Sequence, residues 1–157
     1  MTAAPVLVLC LGNALRRDDA VALRVADALE SAPPPEGAAV RRSAASGLYL
    51  LDEMEGFDRV VVVDAVRTGA HPPGAVLSFP LEDLHAPEGP SPHAIGLPSA
   101  LARARAAGAP VPSRIHVVAV EVVDMATVGE GLTPEVAAAV APAAATVRAA
   151  VRALAAP

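Results

Sequence analysis

The chain has 157 residues, enough for one domain with a sizeable core. Hydrophobic residues make up 54% of it and aromatic residues only 2%, so that core has to be built from Val, Leu and Ala rather than from stacked rings. All twelve basic residues are arginine and the net charge is −5, which excludes the broad basic face that nucleic-acid binding needs.

Cys10 is the single cysteine. That excludes an internal disulfide and a multi-cysteine metal site, and it suits a reducing compartment. The opening "MTAAPVLVLCLGN" lacks the positive n-region of a signal peptide, and no apolar run reaches the length of a membrane span. The expectation is a soluble cytoplasmic protein with no membrane partner, folded as a single domain over 1–157.

In chain order, the first element is "VLVLCL" (6–11), a continuous apolar run that reads as a strand buried on both faces, as in a parallel sheet. Val21, Val25, Ala28 and Leu29 then fall on one face at helical spacing. After a Pro-rich loop at 31–37, "AAVRRS" (38–43) is a weaker strand candidate, and 47–54 has the pattern of a short helix. "RVVVVDAV" (59–66) is a second strongly apolar strand. Beyond the loop at 67–74, "AVLSF" (75–79) is another weak strand. Residues 84–93 read as a loop and 95–107 as a helix stopped by Gly108 and Pro110. "RIHVVAVEVV" (114–123) is the third strong strand. Thr133 reads as an N-cap with Pro134 at the first helical position, and the helix it opens runs towards Leu154, with Pro142 expected to kink or interrupt it. Strands alternate with helices, which predicts an α/β fold: a three-layer α/β/α sandwich with a mostly parallel, roughly five-stranded sheet.

Ligands of an open parallel sheet bind beyond the carboxyl ends of its strands. The first strand ends at Gly12–Asn13, and its loop carries Asp18 and Asp19 to the next helix. One aspartate suffices to cap that helix, so the pair leaves one over. Either aspartate can be that cap, with a cost of about 1 kcal/mol on its removal. Asp64 follows four valines at the end of its strand, and a carboxylate so near apolar surface calls for a partner such as a cation. In "PSPHAIGL" (90–97), the prolines stiffen the backbone around His93 just before a helix. The spare aspartate of the pair, Asp64 and His93 together form an O,O,N set that suits a borderline divalent ion such as nickel or zinc. His71 and His85 lie in Pro-containing loops, and His116 sits within a strand as a structural or solvent-facing residue. Neither HExxH, a P-loop nor a G-x-S-x-G elbow is present, and Cys10 reads as a small core residue.

Over nearly its whole length the chain resembles the hydrogenase maturation endopeptidases. The resemblance is carried by "LGNALRRDDAV" (11–21), "VVVVDAV" with the later Pro73–Gly74, "SPHAIGL" (91–97) and "GLTPEV" (131–136). It implies a metal-sensing endopeptidase that removes a C-terminal peptide from a nickel-loaded large-subunit precursor of nickel–iron hydrogenase. Asp19, the second of the pair, Asp64 and His93 are then both catalytic and metal-binding, which leaves Asp18 as the helix cap. Nickel is carried by the substrate, and the isolated protein is expected to hold either nothing or another divalent ion such as zinc. Where the family has further glycines this chain has Cys10, Ala20 and Ala22, and the first and last of these are expected to narrow the approach of strand and helix. Two other readings stand beside it: a non-catalytic metal-binding or assembly protein on the same fold, and a nucleotide- or phosphate-binding α/β module. The acidic pair in the first loop opposes the last of these.

Overall fold

A computed structural model describes residues 5–33, 35, 37–84 and 96–156. The elements are β1 (Val6–Leu11), a 3-10 turn (Arg17–Ala20) running into α1 (Val21–Glu30), β2 (Ala38–Ser43), α2 (Tyr49–Glu53), β3 (Arg59–Val66), β4 (Val76–Pro80), a 3-10 turn (Leu81–Asp83), α3 (Leu97–Ala106), β5 (Arg114–Glu121) and α4 (Pro134–Ala155). The five strands form one sheet in the order β2-β1-β3-β5-β4. Its first three pairings are parallel and β4 returns antiparallel along β5.

The strength of each strand pattern tracks its place in the sheet. β1, β3 and β5 are central, so both of their faces are covered and their sequences are continuously apolar. β2 is an edge strand and exposes Arg41 and Arg42. Arg42 reaches Asp27 and Glu30 of α1 at 2.6 and 2.8 Å. On one face, Val6, Val8 and Cys10 of β1 and Val61, Val63 and Ala65 of β3 pack with Val21, Val25 and Leu29 of α1 and Val136, Val147 and Val151 of α4. On the other, Leu7, Leu9 and Leu11 and Val60, Val62 and Val66 pack with Leu50 of α2 and Leu97 and Leu101 of α3. Each fully buried Val or Leu contributes about 1.5–3 kcal/mol.

Three differences from the sequence pattern have a visible physical setting. The third strong strand stops at Glu121 rather than at residue 123, because the N–H groups of Val123 and Asp124 leave the ladder and donate to Asp18. The helix expected over 95–107 starts at Leu97, after Gly96 turns into the left-handed region at φ 82°; Ile95 lies outside the described residues. Pro142 does not interrupt α4, which runs unbroken for 22 residues. The proline sits on the exposed side, where the carbonyl it leaves unpaired is open to solvent rather than stranded in the core. By length and composition α4 is apolar enough to cross a membrane, but its stripe from Val136 to Leu154 is buried against the sheet.

Candidate active site

The crevice follows from the strand order. β1 sends its chain through α1 to β2 on one side, while β3, its other neighbour, leads away towards β4. Connections diverge between β1 and β3, which is where an α/β sheet opens a binding crevice at its carboxyl edge. The loop after β1 folds tightly there. A Cβ on Gly12 would lie 2.3 Å from the Asp19 carbonyl oxygen, so only glycine lets these two backbones approach. Arg17 is held at φ 44°, an uncommon conformation for a residue with a side chain. Its N–H donates to Gly129 O at 3.0 Å, and that of Asp18 donates to Asp124 O at 2.9 Å.

The two adjacent aspartates do different things. Asp18 is fully buried and caps neither the 3-10 turn nor α1, contrary to the expectation for it. Its carboxylate reaches across the molecule instead. It accepts from Thr133 N at 2.8 Å and Thr133 Oγ1 at 2.9 Å, and from Val123 N and Asp124 N at 3.1 and 3.0 Å. Thr133 is the N-cap residue of α4, as its position in the sequence indicates, but its hydroxyl serves Asp18 rather than its own helix.

Asp19, buried, sits in the 3-10 turn and accepts from Asn13 N at 3.1 Å. Asp64 is completely buried in β3, and its Oδ1 accepts from Ala65 N at 2.9 Å. The strand continues two residues past it, to Val66. β1 and β3 are paired in parallel and the turn bearing Asp19 lies against β3, so both acids belong to one sheet edge. By strand alternation Asp64 faces the side of Val60, Val62 and Val66, which α2 and α3 cover. His93 lies outside the described residues.

Cys10 points the other way, into the core beneath α1, where Ala22 also packs. Cys10 and Ala22, two of the three residues standing where the resemblance gives glycines, therefore fill the α1 side, on the opposite face of the sheet from Asp64. Burial pushes the Cys10 thiol up to about 12, which leaves it neutral and unreactive.

Glu121 is a buried acid that sequence pattern did not single out. From the end of β5 its carboxylate accepts from Thr68 N at 2.9 Å, Thr68 Oγ1 at 2.5 Å and Gly69 N at 3.3 Å, pinning the loop that leaves β3. The one signal for it was a lone acid inside an apolar strand. His116 does not join this edge. Burial and then Arg114 lower its pKa, and its Nε2 meets Ser78 Oγ at 2.7 Å on β4. His71 is exposed in the loop before β4, and His85 lies outside the described residues. A cavity of about 610 Å3 lies between α2 and α3, lined by Tyr49, Met54, Phe57, Ala104 and Val111 among others. It contains none of the buried acids and extends towards Asp58 and Pro112, just before β3 and β5 begin.

Residues 23–150 match the model of the family described as hydrogenase maturation protease. The hydrogenase 2 maturation protease of Escherichia coli (strain K12) is 31% identical over 150 residues, spanning 94% of this chain and 90% of that protein. Among solved structures, the hydrogenase maturating endopeptidase HybD from E. coli is similar with a TM-score of 0.79 at 30% identity, covering 95% of this chain and 93% of that one. The [NiFe] hydrogenase maturation protease HybD from Thermococcus kodakarensis gives 0.72 at 27% identity, covering 92% and 97%. With most of its length matched and its sheet edge built around buried carboxylates, this chain belongs to the hydrogenase maturation protease family.

Proposed function

We propose that this protein is a cytoplasmic, metal-sensing endopeptidase with a three-layer α/β/α fold. Its substrate is the nickel-loaded large-subunit precursor of a nickel–iron hydrogenase, from which it removes a C-terminal peptide. The observation that carries the reading is the pair of buried acids, Asp19 and Asp64, on the joined carboxyl edge of β1 and β3. Two carboxylates on one edge are a donor set that suits a divalent ion, and the precursor brings one.

Asp19 and Asp64 supply oxygen ligands to the incoming nickel and His93 supplies a nitrogen. His93 is four residues before Leu97, where α3 starts, and α3 covers the face that Asp64 occupies. Cleavage is by water rather than through a covalent enzyme intermediate on sulfur, because the Cys10 thiol is sealed in the core. One carboxylate orients that water as a general base, while the ion carried by the precursor polarises the scissile carbonyl.

The test is incubation with precursor loaded with nickel and precursor without it, with the released peptide followed by mass spectrometry. Wild type is expected to cut only the loaded form. Asp19→Ala, Asp64→Ala and His93→Ala should each lose roughly 100-fold or more in rate. Undiminished cutting by His93→Ala would remove the three-ligand site, and a stable complex with no peptide released would make the chain an assembly protein instead.

A further inference from the structure

Three exposed aliphatic residues lie on the two loops at the crevice edge. Leu15 is 57% exposed in the loop after β1, and Val123 and Val128 are 42% and 77% exposed in the loop after β5. The two loops are bound into one plate. Gly129 N donates to Leu15 O at 2.8 Å, Arg17 N returns a bond to Gly129 O at 3.0 Å, and Arg16 and Gly129 form an isolated bridge. Val128 precedes Gly129, so it neighbours Leu15 across that bridge. Val123 is held from the other side, its N–H bound to the buried carboxylate of Asp18.

Single exposed aliphatics are ordinary, but three on a braced platform next to a site are not. The bracing means that little conformational entropy is lost when a partner covers them. The same 3-10 turn that the plate braces carries Asp19, four residues from Leu15. The chain belongs to a protease family, so a polypeptide has to lie at this edge to be cut.

We infer that Leu15, Val123 and Val128 form a docking plate for an aliphatic-rich, extended segment of the polypeptide substrate next to the scissile bond, and that this plate sets substrate affinity. The inference rests on the reading of Asp19 and Asp64 as the reaction site. It assigns the plate to binding and not to the chemical step.

The test is the double variant Leu15→Ser/Val128→Ser, assayed for cleavage of the nickel-loaded precursor together with its urea midpoint and its sedimentation behaviour. Both side chains are solvent-exposed, so the midpoint should stay put. The expected result is a KM raised by roughly tenfold or more, in the range of a lost interface anchor, with kcat retained. Leu15→Met/Val128→Ile should keep the wild-type KM. An unchanged KM in the serine variant would overturn the plate while leaving the peptidase reading intact. So would an unchanged KM accompanied by dissolution of a wild-type dimer, which would make the plate a contact between two copies. A wild-type chain that neither binds nor cuts the precursor would overturn both readings.

Discussion

Asp18 and Asp19 are adjacent in the chain, the same residue type and both buried, yet the structure gives them separate tasks. Four donor groups from two distant segments converge on Asp18. Hydrogen bonds to a charged group contribute about 1.5–3 kcal/mol each, and deleting the acceptor strands the donors. Asp18→Ala should therefore cost about 3–5 kcal/mol, well above the 1 kcal/mol or so of a lost helix cap. Asp18→Asn should also destabilise, because the amide NH2 would face N–H donors. Urea midpoints check both, and Asp19→Ala should lose cleavage with a far smaller shift. Cys10 supplies a pH signature. Its thiol ionises near 9.0 when free and near 12 in the fold, so the unfolded chain releases the proton first. Its contribution to stability is then constant below pH 9.0 and falls as pH rises from there towards 12. The slope is at most about 1.4 kcal/mol per pH unit. Cys10→Ala should abolish that alkaline slope in denaturation curves, and a thiol reagent should label wild type only after unfolding.

At the scale of elements, the crevice depends on how closely the loop after β1 approaches the turn that follows it. Gly12→Ala puts a methyl group 2.3 Å from the Asp19 carbonyl, so the turn has to move. The expected cost is about 1–3 kcal/mol, with cleavage reduced as well because Asp19 moves with its backbone. Gly74 makes a second such approach. It stands at φ +88°, and an added Cβ would meet Glu135 O at 2.6 Å in the first turn of α4. In α4 the prediction has the opposite sign. Pro142 forfeits one helical hydrogen bond on an exposed surface without ending the helix. Pro142→Ala should raise stability by about 1–3 kcal/mol, read from the thermal midpoint, and leave cleavage untouched.

At the scale of the molecule, one sheet is shared by two cores. Val25 lies in the core under α1 and α4, and Leu101 in that under α2 and α3, on opposite faces of the same strands. We propose that the chain is one cooperative domain. Val25→Ala and Leu101→Ala should then destabilise additively within about 0.5 kcal/mol, since they share no partners. Fluorescence and circular dichroism should report one coincident transition for each. Two separated transitions would split the chain into independent units.

Much of this was legible in the residues alone. The central strands β1, β3 and β5 are apolar on both faces because both faces are covered, so their runs of Val and Leu announce a parallel sheet with helices on each side. Gly12, the acidic pair and Asp64 stand out because they break such runs, and a buried carboxylate has to be partnered. What the chain could not show was which strands become neighbours, because pairing is set by packing between segments far apart in sequence. That pairing puts Asp19 and Asp64 at one edge and turns Cys10 to the opposite face from Asp64. It also decides that Asp18 braces the start of α4, and that Glu121 is buried holding the loop after β3. A carboxylate reads alike in sequence whatever it faces, and only the segments folded around it decide whether it stands at a sheet edge beside a second acid or braces a distant helix start.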